Sequence, residues 1–236
     1  MPSVDRRAQE KGSSVQKESM PALLIAGLYL ISRKIEDWYM QHTWIGGDLR
    51  FSYCTEHDLP DISRMLAKES VCRWLFFGPN TEEATRSYFL PLIEEMQAAL
   101  AEGKTPDHHV FTVRLEDTGE FVGQCALLSV DFSPGAFLIG YQFDDTYWGR
   151  GYGTMACNFL VYFAFAVLDG YRLNGDTVAD NTPSRRVMER CGFVREGVQR
   201  RYWHARGGYY DRVIFGLLAS DLVPGRLSAL EKTFKA

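Results

Sequence analysis

Apolar residues recur along the chain with two periods, and these divide it into elements. "LRFSYC", beginning at Leu49, reads as a strand. "DLPDISRMLA" carries Leu59, Ile62, Met65 and Leu66 at helical spacing, which predicts an amphipathic helix. "TEEATRSYFLPLIEEMQAAL" predicts a second helix, with Thr81 suited to the N-cap and Glu82 and Glu83 favourable at its positive end. Pro91 lies inside it and is expected to kink or split it. "HHVFTVRLE" and "EFVGQCALLSV" flank the turn signal Asp117-Thr118-Gly119 and predict a hairpin, and "AFLIGYQFD" predicts a third strand. "MACNFLVYFAFAVL" is apolar almost all round, so it reads as a helix buried on most sides. "YRLNGDTVAD" is a further strand. In "NTPSRRVMERCGF", Asn181 or Thr182 caps a compact helix, Pro183 suits its first turn and Gly192 ends it. "VREGVQRRYWH" and "YYDRVIFGLL" predict a closing hairpin. The order predicts an α+β fold, a mainly antiparallel mixed sheet with one parallel pair enclosing the buried helix.

The first part of the chain follows neither period. Residues 1–19 are polar and charged and are expected to be disordered. The apolar run "MPALLIAGLYLI" is too short to span a bilayer, which takes about 20 residues. Residues 21–40 are expected to form an extra helix that packs on the body or on a second subunit, the latter making a homodimer. Gly46-Gly47-Asp48 reads as a break. The expected division is an N-terminal extension over residues 1–46 and one domain over residues 47–236.

Composition narrows the function classes. Apolar residues make up 46% and charged residues 24%, ordinary values for a soluble globular chain. A net charge of −4 carries no nucleic-acid signature. The five cysteines are odd in number with no C-x-x-C spacing, which points to reduced thiols and a cytoplasmic protein. The five histidines include no H-E-x-x-H, and no metal site is expected.

The chemistry-bearing stretch is "TYWGRGYGTMA", residues 146–156, with Gly149, Gly151 and Gly153 at alternate positions before the buried helix. A helix N-terminus offers unpaired N–H groups and a partial positive charge. A glycine turn leading into it lets an anion approach the backbone, and Arg150 can add a charge-assisted contact. The stretch therefore reads as a phosphate or pyrophosphate cradle, against the plainer reading of a tight strand–helix turn. It is neither G-x-G-x-x-G nor G-x-x-x-x-G-K-[ST].

"GYQFDDTYWGRGYGT" resembles the acetyl-CoA loop of the GCN5-related N-acetyltransferases (GNAT), and within them the RimJ/RimL-like subfamily. "NTPSRRVMERCGFVREG" is similar to that family's N-x-x-S-x-x-(apolar)-x-x-x-G-F-x-x-E-G segment, and "GGYYDRVIFGLL" to its last strand. The resemblance starts at Leu49 and ends near Asp221. It implies a GNAT fold with helices on both faces of the sheet and a parallel strand pair that splays to admit the pantetheine arm. It implies acetyl-CoA as co-substrate and a primary amine, on a protein N-terminus or a small molecule, as acceptor. By position, Trp148, Gly149, Arg150, Gly151, Tyr152, Gly153 and Thr154 would hold the pyrophosphate, Phe143 would supply a backbone N–H to the oxyanion, and Asn181 would contact the cofactor arm. Trp148 stands where the family usually has Gln or Arg.

The acid–base set departs from the pattern. Leu138 stands where many relatives carry a glutamate, and Met188 where the acid is often tyrosine. Ser184 matches the subfamily's serine acid. His204 is a candidate base, because an ordinary histidine titrates near pH 6.5; a surface histidine at a hairpin end is the plainer reading. Asp211 reads as a strand anchor, and Asp144 and Asp145 as turn residues. Arg185 and Arg186 are candidates to reach the phosphates, or lie on an exposed helix face. The alternative to an enzyme is a non-catalytic CoA-binding module, which Leu138 and Met188 favour and the glycine loop, Asn181 and Ser184 disfavour.

Overall fold

The computed structural model describes residues 42–234, so the start expected to be disordered and the helix expected over residues 21–40 lie outside the described residues. Eight strands form one sheet: β1 (Thr43–Gly46), β2 (Leu49–Tyr53), β3 (His108–Leu115), β4 (Phe121–Ser129), β5 (Ala136–Phe143), β6 (Arg172–Val178), β7 (Val194–Ala205) and β8 (Gly208–Leu218). Their spatial order is β1-β2-β3-β4-β5-β6-β8-β7. Every neighbouring pair is antiparallel except β5 with β6. This is the α+β arrangement that the alternation of periods predicts.

The helices cover both faces of the sheet. α1 (Leu59–Leu66), the single turn α2 (Glu69–Cys72) and α3 (Glu82–Ala101) pack against one face, and α4 (Tyr152–Tyr162), α5 (Thr182–Arg190) and α6 (Arg226–Thr233) against the other. α4 continues into a π-type turn over Phe163–Val167. Its apolar residues enter an aromatic core, with Phe159 stacked on Phe51 at 4.3 Å and Phe163 edge-on to Trp44 at 5.1 Å. Such pairs add to the burial term that drives folding.

Three elements differ from the sequence expectation. The break at Gly46-Gly47-Asp48 is a hairpin turn inside the sheet: Gly47, at φ +62°, lets β1 fold back onto β2. The expected boundary therefore cuts between two paired strands, and Trp44 of β1 is buried among Tyr53, Phe111, Phe159 and Phe163. The described residues form one compact unit. Pro91 does not split α3, which runs unbroken for 20 residues. Pro91 itself is exposed, while Phe89, Ile93 and Met96 bury the helix on either side of it. The closing hairpin is followed by α6, which seats the buried Phe234 against Phe51 and Phe159.

His109 lies in this core at 1% exposure, with Nδ1 2.8 Å from the Tyr53 hydroxyl and its ring 5.2 Å from that of Phe163. Burial, reinforced by the neighbouring His108, pulls its pKa down from 6.5 to about 4. The folded state resists protonation, so the unfolded chain binds the extra proton as pH falls. Stability is fully present above pH 6.5 and is lost progressively toward pH 4, by about 3 kcal/mol on a shift of this size. Denaturant melts of His109→Phe are expected to lose most of that acid dependence. A second pair of melts tests the role of β1. A chain cut to residues 41–236 is expected to fold cooperatively. One cut to residues 49–236 loses Trp44 and is expected to fall by about 3–5 kcal/mol or more, the usual cost of emptying a large aromatic site.

Candidate active site

The site starts from a failure of strand pairing. β5 pairs with β4 along its length, from Ser129↔Phe137 to Gly123↔Phe143. β6 pairs with β8 along all of its length. β5 and β6 pair with each other only at Ala136↔Arg172, Phe137↔Leu173 and Leu138↔Asn174. Beyond Leu138 the strands part. Met188 of α5 and Ile139 meet over Gly175 at this fork, where an added Cβ would lie 2.7 Å from the Met188 Sδ. The resulting cavity of about 220 Å³ is lined from β5 by side chains that alternate between the two faces of the sheet, so it passes through the sheet.

The free edge of β5 faces this opening. Asp144 N–H donates to Val122 O at 2.9 Å, toward β4. The trans peptide then aims Phe143 C=O the opposite way, where it accepts from Trp148 Nε1 at 2.9 Å. In extended backbone a residue's N–H and C=O point to the same side, so the Phe143 N–H also faces the gap.

The glycine loop begins at that end of β5. Trp148 N–H donates to Asp145 O, and the next to find a protein acceptor is Thr154 N–H, on Gly151 O at 3.0 Å. The five intervening N–H groups, from Gly149 to Gly153, have no protein acceptor among the described residues. Gly149 and Gly151 adopt φ +78° and +86°, which turns these groups outward, and a Cβ at either would meet only open space. Gly151 caps α4, so the helix's positive end adds to the cradle. Arg150 is exposed and lies over the Tyr147 ring. Bare backbone, outward N–H groups and a free strand edge fit a pyrophosphate with an amide-bearing arm.

Asp144 and Asp145 do more than turn the chain. Lys68, just after α1, binds Asp144 and Asp145 at 2.8 Å each, and Ser70 Oγ donates to Asp145 Oδ2 at 2.6 Å. The Lys68 ammonium and the Ser70 hydroxyl pull the Asp145 carboxyl down to about 2. The cluster fastens the entry to the glycine loop to the helices on the opposite face.

α5 supplies the other wall. Asn181 Oδ1 accepts from Ser184 N–H at 3.2 Å, so Asn181 caps the helix while also lining the cavity. Ser184 Oγ is 3.0 Å from the Tyr141 hydroxyl, and both line the cavity. Burial pushes the Tyr141 phenol well above its ordinary value and keeps it neutral. Tyr141 is the functional candidate that sequence reasoning missed. Its signal was the Gly140-Tyr141 pair ahead of the loop, at a position judged only for its missing glutamate. Met188, in the position where a tyrosine acid was sought, is buried at the fork.

The remaining candidates fall elsewhere. His204 is exposed and stacks on Tyr209 at 4.7 Å, while its neighbour Trp203 reaches the cavity. Arg185 donates to Ala179 O, and Arg186 is exposed. Asp211 accepts from Arg201 N–H at 2.8 Å and anchors the β7–β8 ladder, as expected. All five cysteines are buried and unpaired. Among the described residues no helix is long and apolar enough to cross a membrane.

Residues 48–194 match the model of the acetyltransferase (GNAT) domain family. An uncharacterized N-acetyltransferase p20 of Bacillus licheniformis is 31% identical over 151 residues, 64% of this chain and 82% of that protein. Two solved structures share the fold. RimJ of Mycobacterium smegmatis in complex with CoA-disulfide has a TM-score of 0.64 at 22% identity, covering 82% of this chain and 94% of that one. Spermidine N-acetyltransferase of Vibrio cholerae in complex with CoA and spermine has a TM-score of 0.61 at 18% identity, covering 74% and 97%. With the splayed strands, the glycine cradle and the family match in agreement, the chain belongs to the GNAT acetyltransferases and is an acyl-CoA-dependent acetyltransferase.

Proposed function

We propose that the protein transfers an acetyl group from acetyl-CoA to the primary amine of a protein N-terminus or a small molecule, by direct attack while both substrates are bound. The observation that carries this reading is the junction at the end of β5. There the outward N–H groups of residues 149–153 meet a free strand edge, beside the Tyr141–Ser184 hydroxyl pair. Gly149, Gly151 and Gly153, with the backbone of Trp148, Arg150, Tyr152 and Thr154, would bind the pyrophosphate. The Phe143 N–H would hydrogen-bond the thioester carbonyl and stabilise the oxyanion, a contribution that is usually large in acyl transfer.

An incoming ammonium meets Asp176, the carboxylate in the cavity wall, at Oδ1, since Arg212 bonds Oδ2. The nitrogen sheds one proton to solvent before it attacks. As the carbon–sulfur bond then breaks, Ser184 gives its proton to the departing thiolate and takes one from Tyr141, which in turn takes the second proton shed by the acylated nitrogen, so both hydroxyls end neutral. Burial disfavours the Tyr141 phenolate, so Tyr141 relays a proton and ends neutral rather than acting as a net acid. Asn181 positions Ser184 through the cap of α5.

A melting shift with acetyl-CoA and four substitutions test the reading. Saturating acetyl-CoA is expected to raise the melting temperature, since a ligand at a hundred times its Kd stabilises by about 2.7 kcal/mol. Gly151→Ala, at φ +86°, is expected to lose about 1 kcal/mol of stability and to weaken acetyl-CoA. Gly153→Val is expected to weaken acetyl-CoA with less effect on folding, because a Cβ at 153 makes only ordinary contacts with Val187 and Phe143. Ser184→Ala is expected to lower kcat by about 10²-fold or less while leaving melting temperature and acetyl-CoA affinity nearly unchanged, because Asn181 already caps the helix. Tyr141→Phe in the same background is expected to add little, the mark of two groups acting in series. Unchanged kcat in Ser184→Ala would remove the pair from the mechanism.

A further inference from the structure

One buried polar atom in the cavity wall is satisfied by nothing among the described residues. Gln124 of β4 is 4% exposed, and its Nε2 donates to Gln142 Oε1, directly opposite on β5. Its Oε1 is buried without a hydrogen-bond partner among the described residues. Leaving such a buried carbonyl unpaired is costly. Both glutamines line the cavity on the side away from α5, where most of the wall is apolar, with Phe77, Phe89, Leu92 and Leu128. Asp176 is the carboxylate on that wall, and Arg212 already binds its Oδ2 through Nε at 2.7 Å. The wall therefore lacks the surplus negative charge that a second ammonium would need on leaving water.

We infer that Gln124 determines acceptor specificity. Its Oε1 receives a hydrogen bond from a second N–H or O–H on the acceptor. The acceptor is a singly charged primary amine with an apolar body and one further hydrogen-bond donor. This rests on the acetyltransferase reading of the same cavity and deepens it. A site built to bond such a donor discriminates sharply against an analogue that lacks it, because its own buried group is then left unpaired.

Phenylalaninamide, 2-phenylethylamine and spermidine separate the three requirements. In the wild type, kcat/KM for phenylalaninamide is expected to exceed that for either other amine by at least about tenfold. Gln124→Met keeps the volume and removes the acceptor atom. It is expected to abolish most of the advantage over 2-phenylethylamine by raising KM for phenylalaninamide, with KM for acetyl-CoA unchanged. Gln124→Glu keeps an oxygen acceptor and is expected to restore the preference over 2-phenylethylamine while relaxing that over spermidine, because its carboxylate supplies the negative charge the wall lacks; melting temperatures establish that each variant is folded. Equal or better turnover of 2-phenylethylamine or spermidine by the wild type overturns the inference, as does an unchanged ratio in folded Gln124→Met. Turnover of none of the three, with the acetyl-CoA-induced rise in melting temperature intact, overturns it alone. Absence of that rise in the wild type overturns the acetyltransferase reading and the inference with it.

Discussion

Two strands that run parallel and then stop pairing set the conditions for everything else in this protein. After Leu138↔Asn174, β5 keeps its bonds to β4 and β6 keeps its bonds to β8, but neither satisfies the other. An unpaired strand edge inside a sheet is costly unless something else bonds to it. Trp148 meets part of the need at Phe143 O, and the rest is open to an extended, amide-bearing ligand. The same divergence lets side chains from both faces of β5 line one space. In the proposed reading a thioester enters from the α5 side and an amine from the α3 side.

The cradle depends on being fixed relative to this fork. Gly149 and Gly151 give the loop its shape but make it soft. The rigidity comes from either end. Lys68 and Ser70 hold Asp144 and Asp145 before the loop, and the buried apolar surface of α4 holds it after. The Lys68 link joins helices on the acceptor side to the strand end on the cofactor side. Both halves of the site therefore share one anchor.

What could be read in the sequence was what is local. The glycine loop, the Asn181 cap and Ser184 lie within short segments whose spacing carries their geometry. The Tyr141–Ser184 contact joins residues 43 apart, and only the fold of β5 against α5 brings them together. Of the two readings of His204, the exposed position near the hairpin end is what the structure shows, and the side it faces is not legible from alternation. β7 and β8 shift register between Gln199 and Trp203, where Arg201 takes φ +54°, so counting alternate residues from the start of β7 does not tell which side His204 faces. β1 was hidden because three residues before a glycine pair carry too short a pattern to separate a strand from a linker. For α6 the signals were present, with Gly225 before Leu227, Leu230 and Phe234, but the stretch followed what read as the last strand.

The central claim is that the free edge of β5 binds the arm of acetyl-CoA as an added strand. Residue-resolved amide hydrogen exchange with and without acetyl-CoA tests it most directly. The account predicts that the Phe143 amide, which faces the gap, becomes strongly protected on binding, together with the loop amides from Gly149 to Gly153, while Asp144, already bonded to Val122, changes little. Protection of the loop with no change at Phe143 would mean that the phosphates bind and the strand edge does not. Protection at neither, under conditions where acetyl-CoA is bound, would contradict the account of the site.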